Sequence, residues 1–346
     1  MNRKRIVIML GLLALLCLLI WLQVRSWKRF DWHTFAEQSA HVNWWYVVFA
    51  TALIYLAYAF RAVRWRIFLK PIRETKTVRL LGPQYVGFAA LALLGRAGEV
   101  IRPYIIAKKE NVTFSSQMAA WTVERIFDMG AFAILLALSF LSPELRTVHH
   151  YREFRDGAFV LLLLIFGLMA AAVGMRKAGG AMAKAVHRRL HPLAPHIAAK
   201  LRDKIAAFSA DLEIVRDLRS AAQLTALSIG MWIVVAIAYL SVTHAYADPT
   251  LSSLGPSKIV LLMLASMVGS LLQLPAVGGG AQLATIATLQ DGFQVTPELA
   301  VSCGMLIWVV TFMSVIPVGL LLARREHVSL KAVEEAEEKA AALTPF

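Results

Sequence analysis

Long apolar segments dominate this chain and restrict what it can fold into. Of its 346 residues, 58% are hydrophobic and only 17% are charged. That is more apolar surface than a soluble core of this size can bury, and several runs approach the roughly 20 residues that a helix needs to cross a bilayer. A bilayer offers no water to backbone polar groups, so such runs must be helical. The sequence therefore predicts an all-α polytopic membrane protein.

The charged residues lie between the apolar runs rather than on one block of the chain. The net charge of +14 would suggest a nucleic-acid partner in a soluble protein. Here the basic residues cluster at 61–79, 176–219 and 324–325, as expected for cytoplasmic loops beside anionic headgroups. We therefore expect no nucleic-acid partner, and both chain termini on the cytoplasmic side.

Six runs are long and apolar enough to be full spans, and the first is an uncleaved segment after a basic N-terminus. They are residues 6–22, 44–60, 118–141, 158–175, 221–247 and 300–322. Two other stretches, 80–108 and 258–294, are interrupted by glycine and proline, and the charge distribution puts both ends of each on one side. We therefore predict two re-entrant helical hairpins entering from opposite sides. Eight conventional spans are the alternative.

The apolar part of the chain, residues 1–325, is predicted to form a single integral membrane domain. Within it, residues 176–219 are basic and carry apolar residues every three or four positions, which predicts an amphipathic helix on the cytoplasmic face. Residues 326–346 predict a charged cytoplasmic tail. Cys17 and Cys303 fit neither a disulfide framework nor a metal motif, so we expect no metal and no cofactor.

A glycine-rich charged stretch from Leu94 to Tyr104 interrupts the apolar pattern. A helix would place Arg96, Glu99 and Arg102 on roughly one face. Arginine presents a planar fork that matches phosphate oxygens, and glycine lets backbone approach closely. Arginines that only mark topology at a membrane edge are the alternative. The predicted residues for binding a lipid phosphate are Arg96, Arg102 and Gly98, with Arg61 and Arg64 below the preceding span.

A second group of charges lies inside the predicted span 118–141. Each charge at the middle of a span costs about 2.5 to 3.5 kcal/mol on the insertion scale, so these residues need an explanation. Helical spacing lets Glu124, Arg125 and Asp128 pair with one another and with Arg96 or Arg102. A static ion-pair lock between helices is the alternative to a functional site. The predicted intramembrane charge network consists of Glu99, Glu124, Arg125 and Asp128.

The later hairpin is broken by proline and glycine near its middle. Pro275 and the run Gly278, Gly279 and Gly280 are predicted to lie at mid-depth, followed by Gln282. Free N–H groups at the start of a second helical arm could hold an anion there.

These motifs, in this order, resemble the lysylphosphatidylglycerol synthetase transmembrane region family, also called the flippase-like domain family. The resemblance implies a bacterial inner-membrane protein with a hydrophobic groove for amphipathic lipids. Many members carry a glutamate where Gln282 stands, which puts an ion-coupling role there in doubt. The chain also shows no soluble segment that transfers an aminoacyl group, so we do not expect it to make lysyl-lipid itself.

The leading hypothesis is a lipid transporter or flippase that binds a phosphate-bearing lipid, either a phospholipid or a polyprenyl phosphate. The alternative is a membrane-embedded enzyme, or an accessory subunit, of lipid-linked glycosyl transfer or lipid modification. Only Glu99, Glu124 and Asp128 could then serve as acid, base or metal ligand. We predict no catalytic residue. The expected partners are membrane lipids, with a second copy of the chain or a lipid-modifying enzyme as the protein partner.

Overall fold

A computed structural model describes residues 30–149, 151–192, 217–274 and 278–325, together with residues 195, 198, 199 and 202. The predicted span 6–22, Pro275, most of the predicted amphipathic segment beyond residue 192 and the tail 326–346 lie outside the described residues. Within the described part, the chain is helical apart from one two-residue antiparallel ladder. The predicted all-α class is confirmed.

Twelve α-helices lie in the part of the chain that the structure describes. They are α1 (Trp32–Ala40), α2 (Trp44–Leu69), α3 (Thr77–Leu94), α4 (Ile101–Glu110), α5 (Phe114–Ser139), α6 (Tyr151–Leu190), α7 (Leu218–His244), α8 (Pro249–Ser252), α9 (Pro256–Gly269), α10 (Gly280–Ala287), α11 (Pro297–Trp308) and α12 (Val315–Arg325). Short 3-10 turns cover Gly95–Val100, Pro143–Thr147 and Ser270–Leu272, and π-helical turns cover Thr288–Gly292 and Val309–Met313. The ladder pairs β1 (Gln273–Leu274) with β2 (Gly278–Gly279).

Four helical stretches of the described chain are long and apolar enough to cross a membrane. They are α2, α3, α7 and the stretch Pro297–Arg325 that contains α11 and α12. Helix α3, which the sequence analysis placed in a re-entrant hairpin, is therefore itself long enough to span. Helix α5 has 26 residues but carries Glu124, Arg125 and Asp128, which lower its apolar character.

Helix α6 differs from the prediction. The sequence analysis ended a span at residue 175 and began a separate cytoplasmic segment at 176, but α6 runs unbroken for 40 residues, from Tyr151 to Leu190. Basic residues and alanines are good helix formers, so crossing from apolar to basic sequence does not end a helix. The first proline after its start is Pro192, a residue that disrupts a helix interior.

Helices α3 and α4 form a tight helical hairpin. Gly95 ends α3 with φ of 67°, a left-handed conformation that favours glycine. The 3-10 turn Gly95–Val100 then leads into α4, which packs back against α3. Gly98 is buried in this turn, and a Cβ atom there would overlap the Ala90 carbonyl group. Helix α12 packs along the other side of α3, where Gly319 lies against Tyr85.

Helices α9 and α10 form a second helical hairpin and pack against each other. The β1–β2 ladder lies between them in the chain and forms the tip of this hairpin. Strand β1 contacts the 3-10 turn of the first hairpin. The tips of the two hairpins therefore meet.

Helices α2 and α7 lie side by side in opposite directions. At one end the Asn43 N–H donates to the Ala245 carbonyl at 2.8 Å, and further along Phe60 faces Gly230. Near the start of α2, Trp44 and Trp45 are 62% and 82% exposed. Exposed aromatic residues of this kind are typical of the membrane interface.

We predict that Gly98→Val lowers the melting temperature of the detergent-solubilised protein. The added side chain would overlap the α3 backbone at Ala90, and overpacking of this kind costs enough to shift the melting temperature by about 5 °C or more. Thermal unfolding followed by size-exclusion chromatography measures the change. Gly167→Val is the matched control, because a Cβ atom there meets nothing within 4 Å. Equal melting temperatures for the two variants would contradict the tight hairpin.

Candidate functional site

Three helices bring six charged side chains together inside the helical bundle. Helix α2 supplies arginines three residues apart, α5 supplies carboxylates four residues apart and a neighbouring arginine, and α4 supplies one arginine. At these spacings, helical side chains point from the same face. We call this group the charge cluster; it consists of Arg61, Arg64, Arg102, Glu124, Arg125 and Asp128.

Glu124 is the centre of the charge cluster. Its carboxylate is fully buried and lies within ion-pair distance of all four guanidiniums. Oε2 accepts a hydrogen bond from Arg102 Nη2 at 2.5 Å, and Oε1 lies 2.9 Å from Arg64 Nη2. The Arg61 and Arg125 guanidiniums are more distant, at 3.6 Å and 3.5 Å. Glu124 thus links α2, α4 and α5.

Asp128 makes a second link between α5 and α2. Its Oδ1 accepts from Arg64 Nη1 at 2.5 Å, and its Oδ2 accepts from Arg61 Nη1 at 3.2 Å. Arg64 is itself fully buried and also contacts the Met231 sulfur on α7 at 3.7 Å. Because burial removes water from these charges, each depends on its protein partners for compensation.

Aromatic rings and an amide hold Arg102. Its guanidinium lies 4.4 Å from the Trp65 ring centroid and 5.1 Å from that of Phe88, a cation–π arrangement that favours a desolvated cation. Arg102 Nη1 also donates to Gln84 Oε1 at 3.0 Å. Trp65 is in turn fixed by its indole N–H, which donates to Gln117 Oε1 at 2.9 Å.

The charge cluster and its neighbours have more cations than carboxylates, and some of their N–H donors lack an acceptor. The four arginines of the charge cluster face Glu124 and Asp128, and Glu99 adds a third carboxylate on the wall of a small adjoining cavity. One positive charge remains in excess among the described side chains. Three buried donor atoms have no acceptor among these residues: Arg64 Nε, Gln84 Nε2 and Arg125 Nε. The site therefore has the chemistry to accept an anion.

The adjoining cavity is small. Its volume is about 20 Å³, room for about one water molecule. Its wall consists of Gly87, Phe88, Leu91, Glu99, Arg102, Trp121 and Arg125. Among the residues that the structure describes, no group of three acidic, histidine or cysteine side chains is arranged to hold a metal ion.

The sequence left the partners of the charges in 118–141 open between one another, Arg96 and Arg102, and the structure pairs Arg102 with Glu124. Arg61 and Arg64, predicted to bind a lipid phosphate, form ion pairs with the carboxylates of α5. Glu99 lines the cavity, while the ion-pair partner of Arg102 is Glu124.

Gly98, predicted to help bind a phosphate, is a close-packing residue of the turn. The side chain of Arg96 lies outside the described residues.

The glycine run of the second hairpin is separate from the charge cluster. Gly279 has φ of 132° and its N–H donates to Gln282 Oε1 at 3.3 Å. Gln282 therefore caps the start of α10 from within its own first turn. Gly278 lies in the β1–β2 ladder and Gly280 begins α10, while Pro275 lies outside the described residues.

Sequence reasoning missed several residues of this site. Gln84 and Gln117 are fully buried polar residues within apolar helices, and that placement was the signal that could have identified them. Phe88 and Trp121 gave no such signal, since aromatic residues are common in apolar helices. Trp65 follows Arg64 on α2, but its contact with Arg102 depends on how α2 packs against α4.

The chain matches a known protein family over most of its length. The family model described as the lysylphosphatidylglycerol synthase TM region matches residues 8–319. A transmembrane family agrees with the four helical stretches able to cross a membrane, so the chain is a multi-pass membrane protein. No match was found among curated proteins or among solved structures.

We predict that Glu124→Gln strongly destabilises the protein. The change leaves Arg64 and Arg102 buried without their shared anionic partner, and breaking a buried pair costs about 3 to 5 kcal/mol. Thermal unfolding in detergent measures the loss.

The control for this variant is Asp156→Asn, which breaks the Arg155–Asp156 pair, where both side chains are more than half exposed. Exposed pairs contribute about 1 kcal/mol or less, so the control should unfold close to the wild type. If both variants unfold at the same temperature, Glu124 does not have the central role assigned to it.

Proposed function

Because the chain belongs to the family of the lysylphosphatidylglycerol synthase TM region, we propose that it is a lipid transporter that moves a phosphate-bearing amphipathic lipid across a membrane. The lipid is a phospholipid or a polyprenyl phosphate. Its phosphate binds the charge cluster while its apolar tails stay in the surrounding bilayer. The membrane is a bacterial inner membrane.

The proposed topology has six full spans and two re-entrant hairpins. The hairpins are α3–α4 and α9–α10, entering from opposite sides so that their tips meet inside the bilayer. Two observations support this arrangement. The two helices of each hairpin pack against each other, and strand β1 of the second hairpin contacts the turn Gly95–Val100 of the first. The basic residues of 61–79 and Arg324–Arg325 favour a cytoplasmic position for the base of the first hairpin and for the C-terminal end of α12. Both chain termini are then cytoplasmic.

The observation that carries the proposal is one positive charge in excess when Glu99 is counted with the charge cluster, together with three buried donor atoms that lack an acceptor among the described residues. A phosphate brings the negative charge and the acceptor oxygens that Arg64 Nε, Gln84 Nε2 and Arg125 Nε lack. A site that served only to lock helices together would be expected to match its charges and satisfy its donors. Buried ionisable groups in a membrane are also, by default, candidates for a substrate pathway.

Transport requires the site to open. The adjoining cavity has a volume of about 20 Å³, which is too small for a headgroup. In the proposed mechanism the hairpins move apart, and the phosphate displaces Glu124 from Arg102. Glu124 keeps Arg64 as its partner, so the carboxylate is not left buried without a counter-ion. The return of Glu124 to Arg102 releases the lipid on the other side.

We predict that Arg102→Gln slows lipid transport about tenfold or more, because it removes a charge-assisted hydrogen bond to the phosphate. The variant should still fold, since the remaining three arginines of the charge cluster balance Glu99, Glu124 and Asp128. The assay uses vesicles of phosphatidylglycerol and phosphatidylcholine with an acyl-labelled phosphatidylglycerol probe. Quenching of outer-leaflet probe by dithionite measures its movement.

Arg155→Gln is the control, because Arg155 is exposed near the start of α6, outside the charge cluster, and forms an ion pair with its neighbour Asp156. Transport at the wild-type rate in a folded Arg102→Gln variant would contradict the mechanism. Mass spectrometry of the extracted vesicle lipids separates the alternative function, since chemical turnover of a lipid by the pure protein would indicate an enzyme.

A further inference from the structure

A large open groove lies between α2 and α7, apart from the charge cluster. Its volume is about 940 Å³, within the range of small-molecule binding sites. The groove is formed where the last turns of α2 diverge from the first turns of α7. Its floor is apolar, formed by Val63, Ile67, Ala226 and Leu227.

The rim of the groove is basic. Arg66, Lys70 and Lys76 line it against a single acidic residue, Glu74. Asp217, the N-cap of α7, lies close enough to Lys70 for that lysine to contribute to lowering the Asp217 pKa, although hydrogen bonds from Ser220 are the main cause. With Glu74 and Asp217 both counted, the three basic residues leave an excess of one positive charge at the groove, which favours an anion.

The groove lies at the end of an apolar helix, which is where lipid headgroups are expected. Helix α2 is long and apolar enough to cross a membrane and ends at Leu69, immediately before the basic segment. Lysine and arginine at the end of a span place their charges among headgroup phosphates and their stems along apolar surface. An apolar floor under a basic rim at this level complements a lipid with an anionic headgroup, because a soluble anion would make no use of the floor.

We propose that this groove is a binding site for an anionic phospholipid, with the phosphate at Lys70 and Lys76 and an acyl chain along Ile67 and Leu227. The site does not depend on the proposed transport function. Leu227 lies one helical turn from Met231, which contacts Arg64 of the charge cluster. A lipid bound in the groove would therefore lie close to the charge cluster.

The test is native mass spectrometry of the full chain titrated with phosphatidylglycerol or phosphatidylcholine. The double variant Lys70→Gln/Lys76→Gln should bind phosphatidylglycerol about 25-fold more weakly at one site, since each cation near the surface contributes about fivefold. Phosphatidylcholine binding should change little. Arg324→Gln/Arg325→Gln removes two exposed charges at the end of α12 and should leave the lipid count unchanged.

A second variant tests the apolar floor. Ala226 is exposed in the groove, so Ala226→Trp should fill it without disturbing the core and should remove one bound phosphatidylglycerol. Glycerol phosphate, which has the headgroup without acyl chains, should not compete at equal concentration. If glycerol phosphate competes equally and Ala226→Trp has no effect, the groove is a soluble-anion site and the proposal is wrong.

Two further outcomes are distinguishable. If the lipid count is the same in both groove variants and in the wild type, the groove holds protein rather than lipid and the proposal is wrong. The Arg102→Gln variant should keep the groove lipid, because Arg102 is not in the groove lining. Retained groove binding together with unchanged transport in that variant would overturn the proposed function and leave this inference standing.

Discussion

The pairing of buried arginines with Glu124 and Asp128 is the interaction on which the rest of this structure depends. Charges inside an apolar bundle are costly unless partners compensate them. The Glu124 carboxylate on α5 contacts Arg64 on α2 and Arg102 on α4. These three helices must therefore pack in one arrangement for the three charges to compensate one another. The surrounding contacts follow from this requirement, including Arg102 between Trp65 and Phe88.

Sequence reasoning located the helices well because apolar runs and their interruptions are local features. The helix of the span predicted at 118–141 is Phe114–Ser139, and that of the span predicted at 221–247 is Leu218–His244. The end of α6 was missed because no local signal stops the helix before Pro192. A pairing of the charges in span 118–141 with Arg96 or Arg102 was expected, since charges in a span need partners, but the sequence did not decide between those arginines.

The partners of Arg61 and Arg64 could not be predicted in the same way. Their spacing shows that they share a helix face, but only the packing of α2 on α5 decides whether that face meets lipid or protein. The same limit applies to Gln84 and to the groove between α2 and α7, which depend on how neighbouring helices approach and diverge. Distances between helices are a tertiary property that periodicity does not encode.

The charges on α5 also constrain how the protein is synthesised. A helix with three ionisable residues enters a bilayer poorly on its own, by about 2.5 to 3.5 kcal/mol for each central charge. Its counter-charges on α2 precede it in the chain and are already available when α5 emerges from the ribosome. The order of these two helices along the polypeptide is therefore matched to co-translational insertion, and a circular permutation that placed α5 first would deprive it of its partner at that moment.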